Sequence, residues 1–213
     1  MKCDKGWMPL YAVTDRAWLR GRTLYEQVED ALRGGATCMQ LREKALDRGA
    51  FLAEAVALKA LCTRFGVPLI VNDDVQVAIE SGADGVHIGQ HDAPAAEVRR
   101  RIGPDMLLGV SAQTVAQAVR AERDGADYLG GGAVFSTGTK PDADDVSFDT
   151  LKAICAAVSI PVVAIGGITQ GNVARLAGSG IDGIAVVSAI FAAEDIEAAA
   201  RELRATVRRE LGV

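Results

Sequence analysis

PLIVNDD (residues 68–74) and DGVHIGQHD (residues 84–92) flank a short segment with a helical pattern, and together they predict a strand, a helix and a second strand. Each predicted strand leads directly into polar residues, including Asp73 after the first strand and Asp92 after the second. If the strands are parallel neighbours, their carboxyl ends lie side by side. The two carboxylates can then face one another.

The acids beyond these strands have two interpretations. Two carboxylates with amide and carbonyl oxygens nearby suit Mg²⁺. This ion takes few ligands from the protein, and water and phosphate oxygens fill its other coordination positions. Alternatively, Asp73 or Asp74 is simply the N-cap of the helix that begins at Val75. The local sequence leaves both interpretations open.

Composition and length limit the class of protein. The 213 residues suffice for one sizeable core and lie near the lower limit for a (β/α)₈ barrel. A composition of 49% hydrophobic and 24% charged residues is ordinary for a soluble globular protein. A net charge of −5 without a basic run argues against nucleic-acid binding. No apolar segment is long enough for a membrane span, and the N-terminus lacks the pattern of a signal peptide. Cysteines at positions 3, 38, 62 and 155 form no CxxC pair, which favours reduced thiols in a cytoplasmic protein.

Short apolar runs alternate with amphipathic segments along the whole chain. The clearest predicted helix carries Phe51, Ala55, Leu58, Cys62 and Phe65 at intervals of four and three, which predicts one buried stripe. The predicted strands are 10–13, 37–41, 69–71, 85–88, 107–110, 127–130, 162–165 and 183–187, and the other predicted helices are 23–33, 75–81, 94–102, 114–123, 148–157, 170–178 and 189–210.

A weak internal repeat supports this count of elements. GGAT (34–37), GADG (82–85), GADY (125–128) and GIDG (180–183) precede the even-numbered strands, whereas GVP, GPD and SIP precede strands three, five and seven. This alternation predicts a βαβα unit repeated four times, and therefore a single (β/α)₈ TIM-barrel domain over residues 1–213. A doubly wound open sheet is the alternative, but TDRAW after the first strand is no glycine fingerprint.

Polar side chains are concentrated where the predicted strands end, which is where a TIM barrel places its active site. In QLREK (40–44), a period of two places Gln40, Arg42 and Lys44 on the inward face, with Leu41 and Glu43 on the other face. Predicted strands three and four end at Asn72 and Asp73 and at Gln90 and Asp92, and strand five ends at Ser111, unless Ser111 only helps to start the helix at Thr114. Strand six ends in the long segment 130–145, which carries Ser136, Thr137, Thr139 and Lys140. Strands seven and eight end at Gly166–Gly167 and Val187–Ser188.

These strand ends predict two anion-binding pockets in one barrel mouth. Arg42, Lys44 and Lys140 beside the two magnesium-type carboxylates have the composition expected around a diphosphate. Glycines and helix N-termini after strands seven and eight suit a monophosphate. A diphosphate and a monophosphate held together indicate displacement of diphosphate by a phosphorylated nucleophile.

The two histidines also have two interpretations. His87 and His91 have a zinc-like spacing of four, but Gly89 interrupts them in a strand-to-loop segment rather than a helix. We therefore interpret His87 as an interior histidine with satisfied hydrogen bonds.

Six motifs in register resemble the thiamine phosphate synthase family: QLREK, VNDD, DGVHIGQHD, GVSA, STGTK and IGGI. The resemblance extends from Tyr11 to the final helix. It implies a transferase of thiamine biosynthesis that couples 4-amino-5-hydroxymethyl-2-methylpyrimidine diphosphate to a carboxylated thiazole phosphate. The products would be thiamine phosphate, diphosphate and CO₂. Since the thiazole nitrogen has no proton to lose, its attack needs no general base, and the departure of diphosphate is the step that needs stabilisation. The pyrimidine amino group can delocalise the positive charge left at the methylene carbon, so we expect a dissociative reaction through a pyrimidine carbocation.

The resemblance also implies roles for individual residues. Arg42, Ser111 and Lys140 would be catalytic, and Asp73 and Asp92 would bind Mg²⁺ as cofactor. The pyrimidine diphosphate would be bound by Gln40, Leu41, Arg42, Glu43, Lys44, Asn72, Ser111 and Lys140, and the thiazole phosphate by Thr137, Gly138, Thr139, Gly167, Val187 and Ser188.

The sequence departs from the family pattern in the loop 131–146, where Ala133 and Ser136 replace prolines of GPxFPTxTK. Prolines restrict the backbone, so the departure concerns the rigidity of the loop more than its chemistry. Two rival functions are a thiazole tautomerase of the same fold and a catalytically silent thiazole-phosphate-binding protein. Only small-molecule partners are expected, with no nucleic acid and no membrane. A homo-oligomer remains open.

Overall fold

Eight parallel strands close into a barrel, in which successive strands pair and the last strand pairs with the first. The structure, a computed structural model, describes residues 3–136 and 146–213. The predicted TIM-barrel fold is confirmed. The strands are β1 (Leu10–Val13), β2 (Cys38–Leu41), β3 (Leu69–Asn72), β4 (Gly85–Ile88), β5 (Leu107–Ala112), β6 (Tyr128–Gly132), β7 (Val162–Ile165) and β8 (Gly183–Val186).

Helices surround the barrel and connect its strands. They are α1 (Leu24–Arg33), α2 (Arg48–Phe65), α3 (Val75–Ser81), α4 (Ala95–Ile102), α5 (Val115–Arg123), α6 (Phe148–Ala157), α7 (Ser188–Phe191) and α8 (Ile196–Leu211). No helix in the described part of the chain combines the length and the hydropathy that a transmembrane span requires.

The helix predicted over 170–178 is wrong. A single 3₁₀ turn, Val173–Leu176, stands there instead. Asn172 Oδ1 accepts a hydrogen bond from the Thr169 amide at 2.8 Å, so the chain forms a side-chain-stabilised turn where the helix was expected to start. The predicted helix 189–210 is likewise divided into α7 and α8, because Asp195 starts α8 as its N-cap.

Burial follows the two faces of each strand. Inward residues such as Tyr11, Cys38 and Tyr128 form a small cluster inside the barrel, while the alternate residues pack against the helices. The stripe predicted on α2 is correct except at its end. Phe65 is exposed because it is the last helical residue before left-handed Gly66, and Leu61 is buried instead.

Side chains from the internal repeat tie the strands together at the amino-terminal end of the barrel. Asp84, Asp127 and Asp182 each precede an even strand and accept a hydrogen bond from a backbone amide at the start of the preceding odd strand, at 2.8, 2.8 and 3.0 Å. Thr37 takes the same place before β2 and accepts from the Leu10 amide at 2.9 Å. We call these four residues the strand clamps. They give the repeat a structural function.

Candidate active site

The carboxyl ends of the eight strands form the barrel mouth, and the polar residues predicted there stand at these ends. The described candidates in the last residues of β2 to β5 or just beyond them are Gln40, Leu41, Arg42, Glu43, Lys44, Asn72, Asp73, Asp92 and Ser111, and those after β7 and β8 are Gly167, Val187 and Ser188. The predicted site residues Thr137, Gly138, Thr139 and Lys140 lie outside the described residues.

Residues 40–44, at the end of β2 and just beyond it, send their side chains in two directions, as the period of two predicts. Gln40 points into the barrel and donates to the Tyr11 hydroxyl at 2.7 Å. Arg42 pairs with Asp15 at 3.2 Å, and Lys44 pairs with Asp73 at 2.5 Å. Both cations therefore already contact carboxylates at the mouth.

Leu41 and Glu43 occupy the other face. Leu41 is completely buried between the strands and the helices. The Glu43 carboxylate accepts hydrogen bonds from Arg16 and from the amides of Lys44, Ala45 and Leu46. Burial raises its pKa, but these donors outweigh that effect and hold the pKa below its ordinary value. The side chain of Glu43 therefore shapes the loop that carries Lys44.

The two acids after β3 have separate roles. Asp74 is the N-cap of α3 and accepts from the Val77 amide at 2.9 Å, so the capping interpretation applies to Asp74. Asp73 has a left-handed backbone with φ of 64°, and its amide donates to the His87 carbonyl at 2.9 Å. This conformation is uncommon outside glycine, although Asp tolerates it better than most residues. It directs the Asp73 carboxylate to Asn72 and Lys44 instead of the helix.

The segment after β4 presents the second acid. Asp92 Oδ2 accepts from the Gly89 amide at 2.7 Å, which folds the turn back and fixes the carboxylate. Gln90 donates to the Ser111 carbonyl at 2.6 Å and links this turn to β5. Among residues 3–136 and 146–213, no three carboxylate, imidazole or thiol side chains gather as a metal-binding group. Two carboxylates on adjacent strands nevertheless match the donor set of Mg²⁺, which commonly keeps several waters.

Ser111 is not a helix cap, because Thr114 caps α5 in a capping box with Gln117. The Ser111 hydroxyl instead lies 3.0 Å from His87 Nε2. His87 is an interior histidine, as predicted, and its Nδ1 lies 3.2 Å from the Tyr128 hydroxyl. Tyr128 in turn lies 2.7 Å from the Tyr11 hydroxyl.

Tyr11 and Tyr128 were not among the predicted site residues, although they contact Gln40 and His87. Both are completely or almost completely buried inside the barrel. The alternation of inward and outward residues along β1 and β6 could have indicated that both tyrosines point into the barrel. Burial raises the pKa of both phenols well above the ordinary value, so both stay protonated and can donate.

The opposite side of the mouth is built from backbone. Gly166 and Gly167 both have positive φ, and a Cβ on Gly166 would lie 2.5 Å from the Cβ of Ala133. Asn172 donates to the Gly167 carbonyl at 2.9 Å and fixes this turn. Val187 and Ser188 follow β8 at the start of the short helix α7.

The described ends of the long loop after β6 are anchored on β7. The Val134 amide donates to the Ile165 carbonyl at 2.9 Å, and the Phe135 amide donates to the Gly166 carbonyl at 3.1 Å. The Val146 amide returns to the Ala133 carbonyl at 2.6 Å. Backbone hydrogen bonds thus hold Ala133 in place without the family's proline.

Comparison with known proteins gives one consistent result. Residues 10–190 match the family model described as thiamine monophosphate synthase. The chain is 55% identical to the thiamine-phosphate synthase of Chloroflexus aurantiacus over 93% of this chain and 92% of that protein. It is 50% identical to the thiamine-phosphate synthase of Clostridium tetani over 91% of this chain and 93% of that protein.

Solved structures agree with the sequence comparison. A thiamine phosphate pyrophosphorylase from Pyrococcus furiosus superposes with a TM-score of 0.90 at 38% identity, over 98% of this chain and 99% of the other. A 3-hexulose-6-phosphate synthase superposes with a TM-score of 0.68 at 18% identity, over 93% of this chain and 99% of the other. The second likeness shows the shared fold alone.

Proposed function

This chain belongs to the thiamine monophosphate synthase family, and we propose that it couples a pyrimidine diphosphate to a carboxylated thiazole phosphate at its barrel mouth. As a member, it is a transferase of thiamine biosynthesis that forms thiamine phosphate. The finer proposal is that the substrates are 4-amino-5-hydroxymethyl-2-methylpyrimidine diphosphate and the carboxylated thiazole phosphate. The C–N bond to the thiazole nitrogen forms, the C–O bond to diphosphate breaks, and the thiazole carbon that loses CO₂ takes up one proton from water.

The observation that carries this proposal is the division of the mouth into two unlike halves. Arg42, Lys44, Asp73 and Asp92 stand at the ends of β2 to β4, whereas glycine backbone and the start of α7 stand at the ends of β7 and β8. Charged groups suit the highly anionic diphosphate, and backbone donors suit the monophosphate. Lys140, with Thr137, Gly138 and Thr139, would complete the two halves.

We further propose that Asp73 and Asp92 hold Mg²⁺, with Asn72 supporting the Asp73 carboxylate. When bound, Mg²⁺ would offset negative charge on the diphosphate. The Lys44 ammonium group contacts Asp73 Oδ2. This carboxylate thus binds a positively charged group in the structure, which supports its proposed role as a ligand of a metal ion. We place the reaction in the cytoplasm, because the cysteines at positions 3, 38, 62 and 155 are all free thiols.

One assay tests the proposed function. The purified protein receives both substrates with Mg²⁺, and thiamine phosphate, diphosphate and CO₂ are measured. We expect all three in equal amounts. Thiazole phosphate incubated alone should not change. A tautomerase, in contrast, would convert it without the pyrimidine substrate. Binding of thiazole phosphate with no product in the complete mixture would identify a silent binding protein.

We also propose that diphosphate leaves before the thiazole attacks. Departure accumulates charge on the diphosphate oxygens, which Arg42 and Lys44 can stabilise, and the pyrimidine amino group can delocalise the positive charge on the methylene carbon. An electron-withdrawing substituent on the pyrimidine should therefore slow the single-turnover rate far more than it weakens binding. A rate that does not respond to the substituent, or a covalent adduct on Ser111, would contradict the dissociative order.

A further inference from the structure

The three residues that follow β1 are bonded to the segment that carries Arg42 and Lys44. They are Thr14, Asp15 and Arg16, and we call them the β1 extension. Because β1 and β2 are parallel neighbours, the β1 extension lies beside residues 40–44 at the barrel mouth. Within the described residues, all of its hydrogen bonds to predicted site residues go to this segment.

Thr14 fixes the backbone of Arg42. The Thr14 side chain is completely buried, and its amide donates to the Gln40 carbonyl at 2.9 Å. The Thr14 hydroxyl oxygen accepts from the Arg42 amide at 3.0 Å and lies 3.4 Å from the Arg42 carbonyl oxygen. One hydroxyl group therefore contacts both backbone polar groups of Arg42, just beyond the end of β2.

Asp15 orients the side chain of Arg42. Asp15 Oδ1 accepts from the Ala17 amide at 2.9 Å, which holds the carboxylate at the start of a 3₁₀ turn. Asp15 Oδ2 lies 3.2 Å from Arg42 Nη1. A guanidinium group carries five N–H donors, and in the part of the chain that the structure describes only Nη1 of Arg42 has an acceptor. The other donors of this side chain are therefore available to an anion.

Arg16 acts on the turn that carries Lys44. Its Nη2 donates to both carboxylate oxygens of Glu54 on α2 at 2.7 Å, and its Nε donates to Glu43 Oε2. The other oxygen of Glu43 accepts from the amides of residues 44, 45 and 46 at 2.7, 2.6 and 3.2 Å. The Glu43 carboxylate thus joins Arg16 to three successive amides of the turn.

The location of these contacts distinguishes positioning from general stabilisation. In TIM barrels the carboxyl ends of the strands carry the chemistry, and the β1 extension lies at these ends. Long cationic side chains lose conformational freedom when they bind an anion, and a turn that is already ordered lowers this cost. Contacts that order the turn at Lys44 should therefore raise the affinity for the anion that Lys44 binds.

We propose that Arg16 is a positioning residue for the pyrimidine diphosphate: it holds Glu43, and Glu43 holds the turn that presents Lys44 to the diphosphate. The inference rests on the proposed function for the identity of the substrate. In the described residues, the β1 extension makes no hydrogen bond to Gly167, Val187 or Ser188, so the monophosphate half of the mouth should not depend on Arg16.

The test measures two ligands separately by calorimetry on the whole protein. Inorganic diphosphate with Mg²⁺ is the probe for one half of the mouth, and thiazole phosphate is the probe for the other. Arg16→Met should weaken diphosphate binding by about 5- to 20-fold and thiazole phosphate binding by less than about 2-fold. Arg16→Lys should lie between the wild-type protein and Arg16→Met, because a lysine can still pair with Glu43 but lacks the planar fork.

Arg33→Met is the matched control. Arg33 is the last residue of α1 and pairs with Glu29 at 3.3 Å on the exposed surface, so this variant removes the same charge away from the mouth. It should change the affinity for either ligand by less than about 2-fold. Thermal melting establishes that each variant is folded before its affinities are compared.

A second background tests whether Arg16 acts through Glu43. In Glu43→Gln the ion pair is already lost, so adding Arg16→Met should weaken diphosphate binding little further. An equal further loss in this background would overturn the proposal, because Arg16 would then act independently of Glu43. Equal weakening of both ligands in Arg16→Met, or a wild-type protein that does not bind diphosphate, would also overturn it. If the wild-type protein binds diphosphate but forms no thiamine phosphate, the proposed function fails, whereas the affinities still decide the role of Arg16.

Discussion

Asp73 and Asp74 show how one backbone dihedral separates two adjacent carboxylates. Asp74 has an extended backbone and caps α3, whereas the left-handed φ of 64° at Asp73 turns the preceding carboxylate toward the mouth. A non-glycine residue in this region costs about 1 kcal/mol or more, and such residues are often found at functional sites. The Asp73 backbone hydrogen bond to His87 helps to maintain the conformation.

This separation gives the metal proposal a matched control. Asp73→Asn keeps a residue that tolerates left-handed backbone but removes the charge, so we expect Mg²⁺-dependent turnover to be lost while the protein stays folded. Asp92→Asn should behave in the same way. Asp74→Ala should lower the free energy of unfolding by about 1 kcal/mol through loss of the cap and leave the Mg²⁺ dependence unchanged. Titration of Mg²⁺ against turnover, with urea unfolding, measures both effects. Normal Mg²⁺ dependence in Asp73→Asn would refute the assignment.

Glu43 and Glu54 share the Arg16 guanidinium but should respond oppositely to acid. The folded-state pKa of Glu43 is lowered from 4.5, so its contribution to stability is present above that value and is lost as the pH falls through the lowered pKa. Burial raises the pKa of Glu54 despite Arg16, so its contribution instead becomes more favourable on acidification.

Urea unfolding of Glu43→Gln and Glu54→Gln between about pH 7 and pH 3 tests this difference. The stability advantage of the wild-type protein over Glu43→Gln should shrink as the pH falls. Its advantage over Glu54→Gln should grow. Parallel curves for the two variants would show that Arg16 does not distinguish the two carboxylates.

At the scale of the elements, the strand clamps explain why acids recur before the even strands. Asp127 accepts from the Leu108 amide at 2.8 Å and also contacts Arg99, which itself donates to the carbonyls of Gly103 and Met106 at 2.7 Å. One carboxylate therefore joins the starts of β5 and β6 to the end of α4. In TIM barrels this amino-terminal end is the stability face and the opposite end carries the chemistry.

We expect Asp127→Ala to lower the free energy of unfolding by about 1–3 kcal/mol, because it leaves the Leu108 amide without its acceptor and Arg99 without its carboxylate partner. Asp127→Asn keeps an acceptor oxygen and should lose less. Glu210→Ala removes an exposed ion pair with Arg209 and should change stability by less than about 0.5 kcal/mol. Urea unfolding measures the three variants. Turnover should stay unchanged in all of them, and a loss of turnover in folded Asp127→Asn would contradict the division between the two ends.

Elements were predictable where a periodic pattern reaches across several turns, and less so where one side chain redirects the chain. The stripe on α2 located that helix, but the pattern could not show that Phe65 turns outward at Gly66. Between β7 and β8, apolar spacing favoured a helix, whereas the Asn172 side chain stabilises a turn. Competition between a side chain and the helical backbone is not visible in hydrophobic periodicity.

For the whole molecule, the alternation of strands and helices was enough to predict the barrel, and strand ends were enough to predict most polar residues of the mouth. The hydrogen bonds that join Gln40, Tyr11, Tyr128 and His87 inside the barrel could not be predicted in the same way. Tyr11 and Tyr128 are 117 positions apart, and only the closed barrel brings their hydroxyls together. The same applies to the pairing of Arg42 with Asp15 and of Arg16 with two carboxylates. The local sequence pattern indicates which face of a strand a residue occupies, but the contacts across the barrel depend on the closure of the sheet.

The pairing of β1 with β8 also has a consequence for synthesis on the ribosome. Tyr11 pairs with Ala185, so the edge of β1 that faces β8 stays unpaired until nearly the whole chain has been synthesised. Until then, a nascent sheet would present β1 and its newest strand as two open edges, which are templates for pairing with other chains. The closed form removes both edges in one late step. Chaperone demand for this protein should therefore be concentrated in the interval before residues 183–186 emerge.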